Sequence, residues 1–346
     1  MLDRGYGGRQ GVSRTGKAIS TMIGVVLGIA LLGTGASDAL GAASAQFKLV
    51  YAQASAAFTP VFVAQDQGFF AKEGLDVGFT QVTGSSAVAT LTSGESQALV
   101  VGATEVADFD ATGGDLVMVA AGSNYPVFSL YVNKSVRSVQ DLVGKKIAVT
   151  RTGTSTDTTA RIILEHFGLT GKVEILTAGG TLSGIMAAMS AGIATGGILS
   201  PPTTAQAEAA GFKELVNGVG LGIPMTQSAL TVKKSYLAQN REMVLRLVRA
   251  YVAAWAYMRN PANEAGTETA IAHYTRATPE QAAVAYKAFF PVWKDKVPRV
   301  DPKGVMNAIR FSASPQVRKM TPASLVDDSL LQELVRSGYI KSLYPE

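Results

Sequence analysis

Three short runs of small and hydroxyl-bearing residues each follow a predicted strand or loop and come directly before a predicted helix. They are residues 55–58 (Ser-Ala-Ala-Phe), 83–86 (Thr-Gly-Ser-Ser) and 151–157 (Arg-Thr-Gly-Thr-Ser-Thr-Asp). The free backbone N–H groups and the dipole of a helix N-terminus favour an anionic or strongly polar ligand. Small residues allow the ligand to approach the backbone, and hydroxyls add directional hydrogen bonds. These runs therefore predict a site for a small polar ligand.

Arg151 gives the most specific prediction within these runs. It directly follows the predicted strand 147–150 and precedes a Gly-Thr-Ser turn, so its side chain should start at the edge of a sheet. A guanidinium there can hold a carboxylate or sulfonate through two parallel hydrogen bonds. Two alternatives stay open: Arg151 could form a structural salt bridge, and the hydroxyls could simply cap helices. The predicted ligand-binding residues are Ser55, Phe58, Ser85, Ser86, Thr104, Asn124, Arg151, Thr154, Ser155, Thr156 and Ser200.

The residue types required for most catalytic and metal sites are scarce. The chain has no cysteine, which excludes disulfides, thiolate metal sites, cysteine nucleophiles and the acylated cysteine of a lipoprotein. Its two histidines, His166 and His273, are too far apart in sequence to form a local metal motif. No Ser/His/Asp arrangement, P-loop or paired-carboxylate motif is present. We therefore expect no catalytic residue, no metal and no cofactor.

Length and composition predict a folded protein with two lobes. At 346 residues the chain exceeds the size at which a single core keeps growing. Hydrophobic residues make up 47% of the chain and charged residues 16%, which argues against disorder. Part of the formal net charge of +5 comes from the N-terminus, and no Lys/Arg block follows. A nucleic-acid partner is therefore not expected.

The first 45 residues have the layout of a secretory signal peptide. A basic stretch that ends at Lys17 is followed by the apolar run 22–32 and then by small residues. Residues 43–45 (Ala-Ser-Ala) fit the small-x-small cleavage rule, so the mature chain should begin near Gln46. The alternative is an uncleaved anchor, since residues 18–37 carry no charge and approach the ~20 residues of a spanning helix. Four glycines and several hydroxyl residues dilute this segment and favour cleavage.

The mature chain alternates strand and helix patterns in two successive blocks, in which residues 59–71 and 85–92 predict helices and residues 98–101 predict a strand. Such βαβ alternation predicts parallel sheets with helices on both faces. The β-type runs 127–132 and 228–232 are interpreted as the two crossing segments of a hinge. We therefore expect lobe 1 to comprise residues 46–136 and 223–346, with C-terminal helices in the second part, and lobe 2 to comprise residues 137–222. Apolar residues at helical spacing between Val244 and Trp255 predict core packing.

Several motifs resemble those of substrate-binding proteins of the nitrate/sulfonate/taurine type, in the thiamine-pyrimidine-synthase-like superfamily. Together they extend over essentially the whole mature chain, ending at residues 338–340 (Gly-Tyr-Ile). They are the run 57–77 (from Ala-Phe-Thr-Pro to Gly-Leu-Asp-Val), Leu-Thr-Ser-Gly-Glu at 91–95, Val-Gly-Ala-Thr at 101–104, the run 141–149 and Leu-Ser-Pro-Pro at 199–202.

The resemblance implies an α/β type II periplasmic-binding-protein fold, with two doubly wound lobes joined by a two-segment hinge. It also implies a periplasmic, monomeric protein that closes on a small ligand and delivers it to the membrane permease of an ABC importer. A sensor that delivers its ligand to a membrane receptor is an alternative. An enzyme resembling the pyrimidine synthases is another, but their chemistry depends on histidine with a cysteine-rich motif, and this chain has no cysteine.

Overall fold

The computed structural model describes residues 45–82 and 85–344. The predicted signal peptide therefore lies outside the described residues, apart from Ala45, which begins the first strand. Thr83, Gly84 and the side chain of Ser85 lie outside them as well. Within the described part, no helix is long and apolar enough to cross a membrane.

Strands and helices alternate through the first two thirds of the described chain, and helices dominate the remainder. The strands are β1 (Ala45–Tyr51), β2 (Leu75–Gln81), β3 (Ala98–Val101), β4 (Leu116–Ser123), β5 (Ser129–Asn133), β6 (Lys146–Val149), β7 (Glu174–Thr177), β8 (Gly196–Leu199), β9 (Phe212–Val216) and β10 (Ser228–Lys233). The helices are α1 (Thr59–Asp66), α2 (Phe69–Lys72), α3 (Ser85–Thr92), α4 (Ala103–Asp110), α5 (Ser155–His166), α6 (Leu182–Ser190), α7 (Thr203–Ala209), α8 (Lys234–Gln239), α9 (Arg241–Arg259), α10 (Glu264–Thr275), α11 (Pro279–Phe289), α12 (Pro302–Phe311), α13 (Ser329–Arg336) and α14 (Tyr339–Ser342).

The first sheet has the strand order β2-β1-β3-β10-β4. Strands β1, β2 and β3 are parallel, whereas β10 runs antiparallel between β3 and β4. Both β3 and β4 are buried along their whole length, as expected for strands covered by helices on both faces. The parallel arrangement places the loops after β1 and β3 at one edge of this sheet.

The second sheet has the order β7-β6-β8-β5-β9 and repeats this plan. Strands β6, β7 and β8 are parallel, and β5 lies antiparallel between β8 and β9. The loop after β6 leads into α5, and the loop after β7 leads into α6. The carboxyl edge of this sheet therefore carries the predicted run 151–157.

Each sheet has its own hydrophobic core. The larger core joins the first sheet to α9, where Val244, Leu247, Val248, Tyr251 and Trp255 are buried as predicted. The smaller core belongs to the second sheet and its helices. We call the first sheet with its helices lobe 1, and the second sheet with its helices lobe 2.

The first passage between the lobes lies at a different point from the one that the sequence indicated, whereas the expected boundary after residue 222 falls between β9 and β10. The run 127–132 was expected to be a crossing segment at the end of the first stretch of lobe 1, but β5 pairs with β8 and β9 of lobe 2. Strand β10, the other expected crossing segment, lies inside the sheet of lobe 1. The passages therefore lie before Ser129 and before Ser228, because both β-type runs are sheet strands.

Most elements agree with the sequence patterns, and the differences have local causes. A single helix was expected over 59–71, but Gly68 adopts a left-handed conformation (φ 68°) and separates α1 from α2. The expectations for β3 and α3 match the structure residue for residue, and the strand expected over 147–150 lies one residue earlier, as β6. Elements α4, β4, α7 and β9 were not predicted.

Candidate functional site

The loops at the carboxyl edges of the two sheets meet across a cleft between the lobes. The Ser55 hydroxyl of lobe 1 lies 2.9 Å from the Ser200 hydroxyl of lobe 2. The Thr104 hydroxyl at the start of α4 lies 3.0 Å from the Thr158 hydroxyl in α5. All four side chains are buried. Three of the predicted residues therefore lie in direct contact between the lobes.

A carboxylate of lobe 1 caps the helix N-terminus of lobe 2 that was predicted to bind the ligand. Glu105, in the first turn of α4, accepts a hydrogen bond from the Ser155 backbone N–H at 2.9 Å through Oε1. Its Oε2 accepts the Ser155 hydroxyl, also at 2.9 Å. Ser155 is the first residue of α5, so its N–H is one that the helix itself leaves unpaired. The protein therefore supplies an anion of its own at this position.

Burial acts against the charge of this carboxylate. Desolvation raises the pKa of Glu105, while the hydrogen bonds from Ser155 oppose the rise. Asp108, one turn further along α4, has its pKa raised by burial too, and Ser312 donates a hydrogen bond to it at 3.1 Å. Asp108 also adds to the rise at Glu105 through charge repulsion. The lobe 1 face of the cleft thus carries two partly desolvated carboxyl groups.

On one side of these contacts the cleft opens into a cavity of about 540 Å³. Amide and hydroxyl side chains from both lobes line it. Arg276 brings a cation from lobe 1, and it is the only non-glycine residue of the described chain with a left-handed backbone (φ 57°). A cavity of this size holds a small organic molecule. The polar side chains of its lining include Gln53, Gln81, Thr181, Thr203, Gln206 and Arg276.

A second cavity of about 300 Å³ lies on the other side of the inter-lobe contacts. Its lobe 1 wall combines apolar Val88 and Phe109 with the carboxyl groups of Glu105 and Asp108. Its lobe 2 wall is the loop 151–154 that leads into α5. Glu105 thus lines this second cavity and not the larger one.

Arg151 follows β6 at the edge of the lobe 2 sheet, where its side chain was expected to start. It is exposed and lines the 300 Å³ cavity as well as a small void beside Gly180, which also borders the larger cavity. A Cβ on Gly180 would lie 2.9 Å from Arg151 Nε, so the glycine allows the guanidinium to lie over the backbone. Within the described part of the chain, the Arg151 side chain forms no ion pair and no hydrogen bond. The predicted alternative of a structural salt bridge therefore has no partner among these residues.

The base of the cleft contains an amide donor without a partner. The Oε1 atom of Gln227 accepts the Val127 backbone N–H at 2.6 Å, which fixes the orientation of the amide. Its Nε2 atom is buried and has no hydrogen-bond partner in the described structure. Gln227 lines a void of about 10 Å³ together with Phe58, Glu105 and Ser155. The predicted residue Phe58 is thus buried against the polar base of the cleft.

Other predicted residues are engaged within one lobe. The hydroxyls of Thr154 and Thr156 lie 2.9 Å apart, and both lie within hydrogen-bonding distance of the Thr150 hydroxyl. They organise the loop before α5, while Thr154 also lines the second cavity. Asn124 donates to the Arg299 carbonyl at 2.7 Å and accepts the Asp301 N–H at 3.0 Å.

Two of the predicted residues, Ser85 and Ser86, lie at the start of α3. Ser86 is exposed, and Val88 from the same helix lines the second cavity. The side chain of Ser85 is outside the described residues.

Sequence reasoning missed Glu105, Gln227, Arg276 and the glutamines of the larger cavity. A signal for Glu105 was present, since it follows β3 by four residues and stands in the first turn of a helix that was not predicted. Gln227 lies in the passage 217–227 that leads back to lobe 1, and the expected boundary after residue 222 falls in this passage. Nothing local marked Arg276, because its place in the cleft depends on how α10 packs against lobe 1. Across the described residues, no group of three or more His, Cys, Asp or Glu residues could hold a metal ion.

Comparison with known sequences defines the family. Residues 55–265 match the family described as NMT1/THI5 like. This match covers more than half of the chain, and the chain therefore belongs to that family. No protein of curated function matches the sequence significantly.

Solved structures share the fold at low sequence identity. A ligand-binding component of an ABC-type import system from Staphylococcus aureus, with zinc bound, has a TM-score of 0.70 at 13% identity, over 84% of this chain and 98% of that chain. The periplasmic nitrate-binding protein NrtA from Synechocystis has a TM-score of 0.70 at 14% identity, over 87% and 91%. A putative periplasmic sulfonate-binding protein, SsuA, from Methylobacillus flagellatus has a TM-score of 0.67 at 18% identity, over 88% and 97%. The chain therefore has a periplasmic-binding-protein fold.

Proposed function

We propose that this protein is the periplasmic solute-binding component of an ABC importer. It captures a small polar organic ligand in the cleft between its lobes and presents that ligand to a membrane permease. The observation that carries the proposal is a cavity of about 540 Å³ lined by polar side chains from both lobes of a periplasmic-binding-protein fold. Similar structures are named as nitrate-binding, sulfonate-binding and import-system proteins, which supports the same function.

The geometry supports capture by closure rather than catalysis. Side chains of both lobes border the same cavity, so a ligand bound there contacts two bodies that a hinge can move. Such a ligand stabilises the closed state to the extent that it binds this state more tightly than the open one. No described residue that lines the cavity is a histidine, although His273 precedes Tyr274 in α10, which does line it. The protein therefore binds its ligand without changing it.

A library screen by thermal shift tests this proposal. Small organic acids, sulfonates, amines, amides and heterocycles are added to the purified protein, and the melting temperature is measured. The true ligand raises the melting temperature, because the stabilisation grows as RT ln(1 + [L]/Kd). Recovery of each hit unchanged by mass spectrometry separates binding from catalysis. Conversion of a hit into a product would support the enzyme alternative instead.

The proposed periplasmic location depends on the predicted signal peptide. Expression with the native N-terminus should yield a periplasmic protein that begins near Gln46, measured by intact mass. The uncleaved chain in the membrane fraction would contradict export of a cleaved protein and support the anchor. Neither result depends on the identity of the ligand.

A further inference from the structure

The carboxylate of Glu105 occupies the helix N-terminus at which an anionic ligand was expected. Both of its oxygens are held by Ser155, one by the backbone N–H and one by the hydroxyl. The positive end of the α5 dipole therefore already faces a negative charge from lobe 1. A second anion at the same donors would be repelled at close range in a partly desolvated site. Helix α5 is thus not available to a free anion while Glu105 remains in place.

Neighbouring charges reinforce this effect on the lobe 1 side. Asp108 lines the same 300 Å³ cavity as Glu105, so two carboxyl groups from lobe 1 face this cavity. The nearest cation in that cavity is Arg151, on the opposite wall and exposed to solvent. A ligand group that approaches Glu105 therefore meets acceptors on the lobe 1 wall. The complementary group is a hydrogen-bond donor.

A second observation concerns a buried hydrogen-bond donor of the protein itself, the side-chain amide of Gln227. Gln227 is 3% exposed, and its Nε2 atom has no partner within the described structure. It faces the same void as Glu105 and Ser155. Since buried polar groups are nearly always hydrogen-bonded, this donor indicates an acceptor, a ligand or a water molecule, from outside the described residues. Glu105 and Gln227 thus bring an acceptor and a donor to the lining of the same void of about 10 Å³.

We propose that Glu105 makes the cleft select against free anions and for a ligand whose innermost group is a neutral or cationic hydrogen-bond donor next to an acceptor. The donor binds the Glu105 carboxylate, and the acceptor binds Gln227 Nε2. This inference rests on the proposed function and states which class of small molecule the cleft takes. It separates this chain from similar structures that are named for nitrate and sulfonate.

Acetate and acetamidinium test the selection because they share shape and differ in charge. Each is added at the same concentration to the unsubstituted protein, and the melting temperature is compared with that in sodium chloride of equal ionic strength. Acetamidinium is expected to stabilise the protein more than acetate does. Equal or greater stabilisation by acetate would overturn the inference. This measurement needs no substitution.

The variant Glu105→Gln tests the residue itself. Glutamine keeps the size of the side chain and one acceptor oxygen but removes the negative charge at the N-terminus of α5. The affinity of the variant for methanesulfonate and nitrate should therefore exceed that of the parent by about tenfold or more. Calorimetric titration measures both affinities. The control Glu95→Gln removes the same charge from an exposed position of lobe 1 and should bind these anions as the parent does. Tight anion binding by the parent, or no gain in Glu105→Gln, would overturn the inference.

Different results would refute the selection by Glu105 and the solute-binding function. An anion that binds and closes the lobes with Glu105 intact would refute the selection and leave the solute-binding function standing. A protein that no compound of the library stabilises would refute the function as well.

Discussion

Single side chains determine the charge of the cleft, and Glu105 has the largest effect because it is partly desolvated. Burial raises its pKa above the ordinary value of 4.5, against the opposing hydrogen bonds from Ser155. Its folded-state pKa therefore lies above its unfolded value. The corresponding stabilisation is complete below the unfolded pKa and is lost as the pH rises through the folded pKa.

Glu105→Gln should therefore change how stability depends on pH. The free energy of unfolding of the variant, relative to the parent, is expected to increase from pH 4.5 to neutral pH, because glutamine carries no charge that must be desolvated. Urea denaturation at both pH values measures this difference, with Glu95→Gln as an exposed control that stays parallel to the parent. A constant difference between Glu105→Gln and the parent would show that the Glu105 carboxyl is not desolvated in solution.

Arg151→Ala should weaken ligand binding without weakening the fold. The Arg151 side chain has no ion pair among the described residues and is exposed, so the free energy of unfolding without ligand should change by less than about 0.5 kcal/mol. Affinity for a ligand with a carbonyl or acidic acceptor should fall about tenfold or more, by calorimetric titration. Arg137→Ala, an exposed arginine of lobe 2 outside the cavities, serves as the control. Unaltered affinity would assign Arg151 to the surface.

Local sequence predicted the positions of Ser155 and Arg151 but not their partners. Both follow a recognisable strand, and the end of a parallel strand fixes where the next residues lie. Glu105 interacts with Ser155 only because two loops 50 residues apart in sequence meet across the cleft. The sequence therefore showed the donors at the α5 N-terminus and left open that the protein supplies their acceptor.

Among the secondary-structure elements, helices α4 and α5 contact each other across the two lobes. Thr104 in α4 and Thr158 in α5 are buried, and their hydroxyls lie 3.0 Å apart. Such a contact exists only while the lobes are together. Its free energy should therefore appear in the ligand affinity, because the ligand binds the closed state.

A double-mutant cycle measures the coupling free energy between the Thr104 and Thr158 hydroxyls. Thr104→Val and Thr158→Val should each reduce ligand affinity about fivefold, since loss of one partner leaves the other hydroxyl buried and unpaired at a cost of ~1 kcal/mol. The double variant should bind no more weakly than either single variant, because it leaves no unpaired hydroxyl. Thr92→Val on lobe 1, whose hydroxyl bonds only within its own helix, should bind as the parent does. Additive losses would mean that the two helices do not touch in the bound protein.

Periodicity located the elements that alternate regularly and missed those that do not. Strand β4 is buried along its whole length, and a short uniform apolar run does not distinguish a strand from a helix. Helix α4 mixes acidic and apolar residues over only two turns, which gives a weak pattern. Because helix α4 was not predicted, Glu105 in its first turn was not recognised as a site residue.

For the whole molecule, the essential feature is that two separate cores share one cleft. The two hydrophobic cores are distinct, so each lobe can move as a body while the passages before β5 and β10 bend. The sequence predicted two lobes from length and from the repeated βαβ pattern. It assigned β5 to lobe 1 and interpreted β5 and β10 as crossing segments, because both have strong strand patterns whichever sheet they join.

Closure on ligand is measured most directly by fluorescence energy transfer between the lobes. The chain has no cysteine, so Glu95→Cys on lobe 1 and Lys172→Cys on lobe 2 give two exposed labelling positions without competing thiols. Addition of the ligand found by thermal shift should shorten the distance between the labels, with a half-maximal change at the Kd from calorimetry. Transfer that stays unchanged at saturating ligand would contradict capture between two moving lobes.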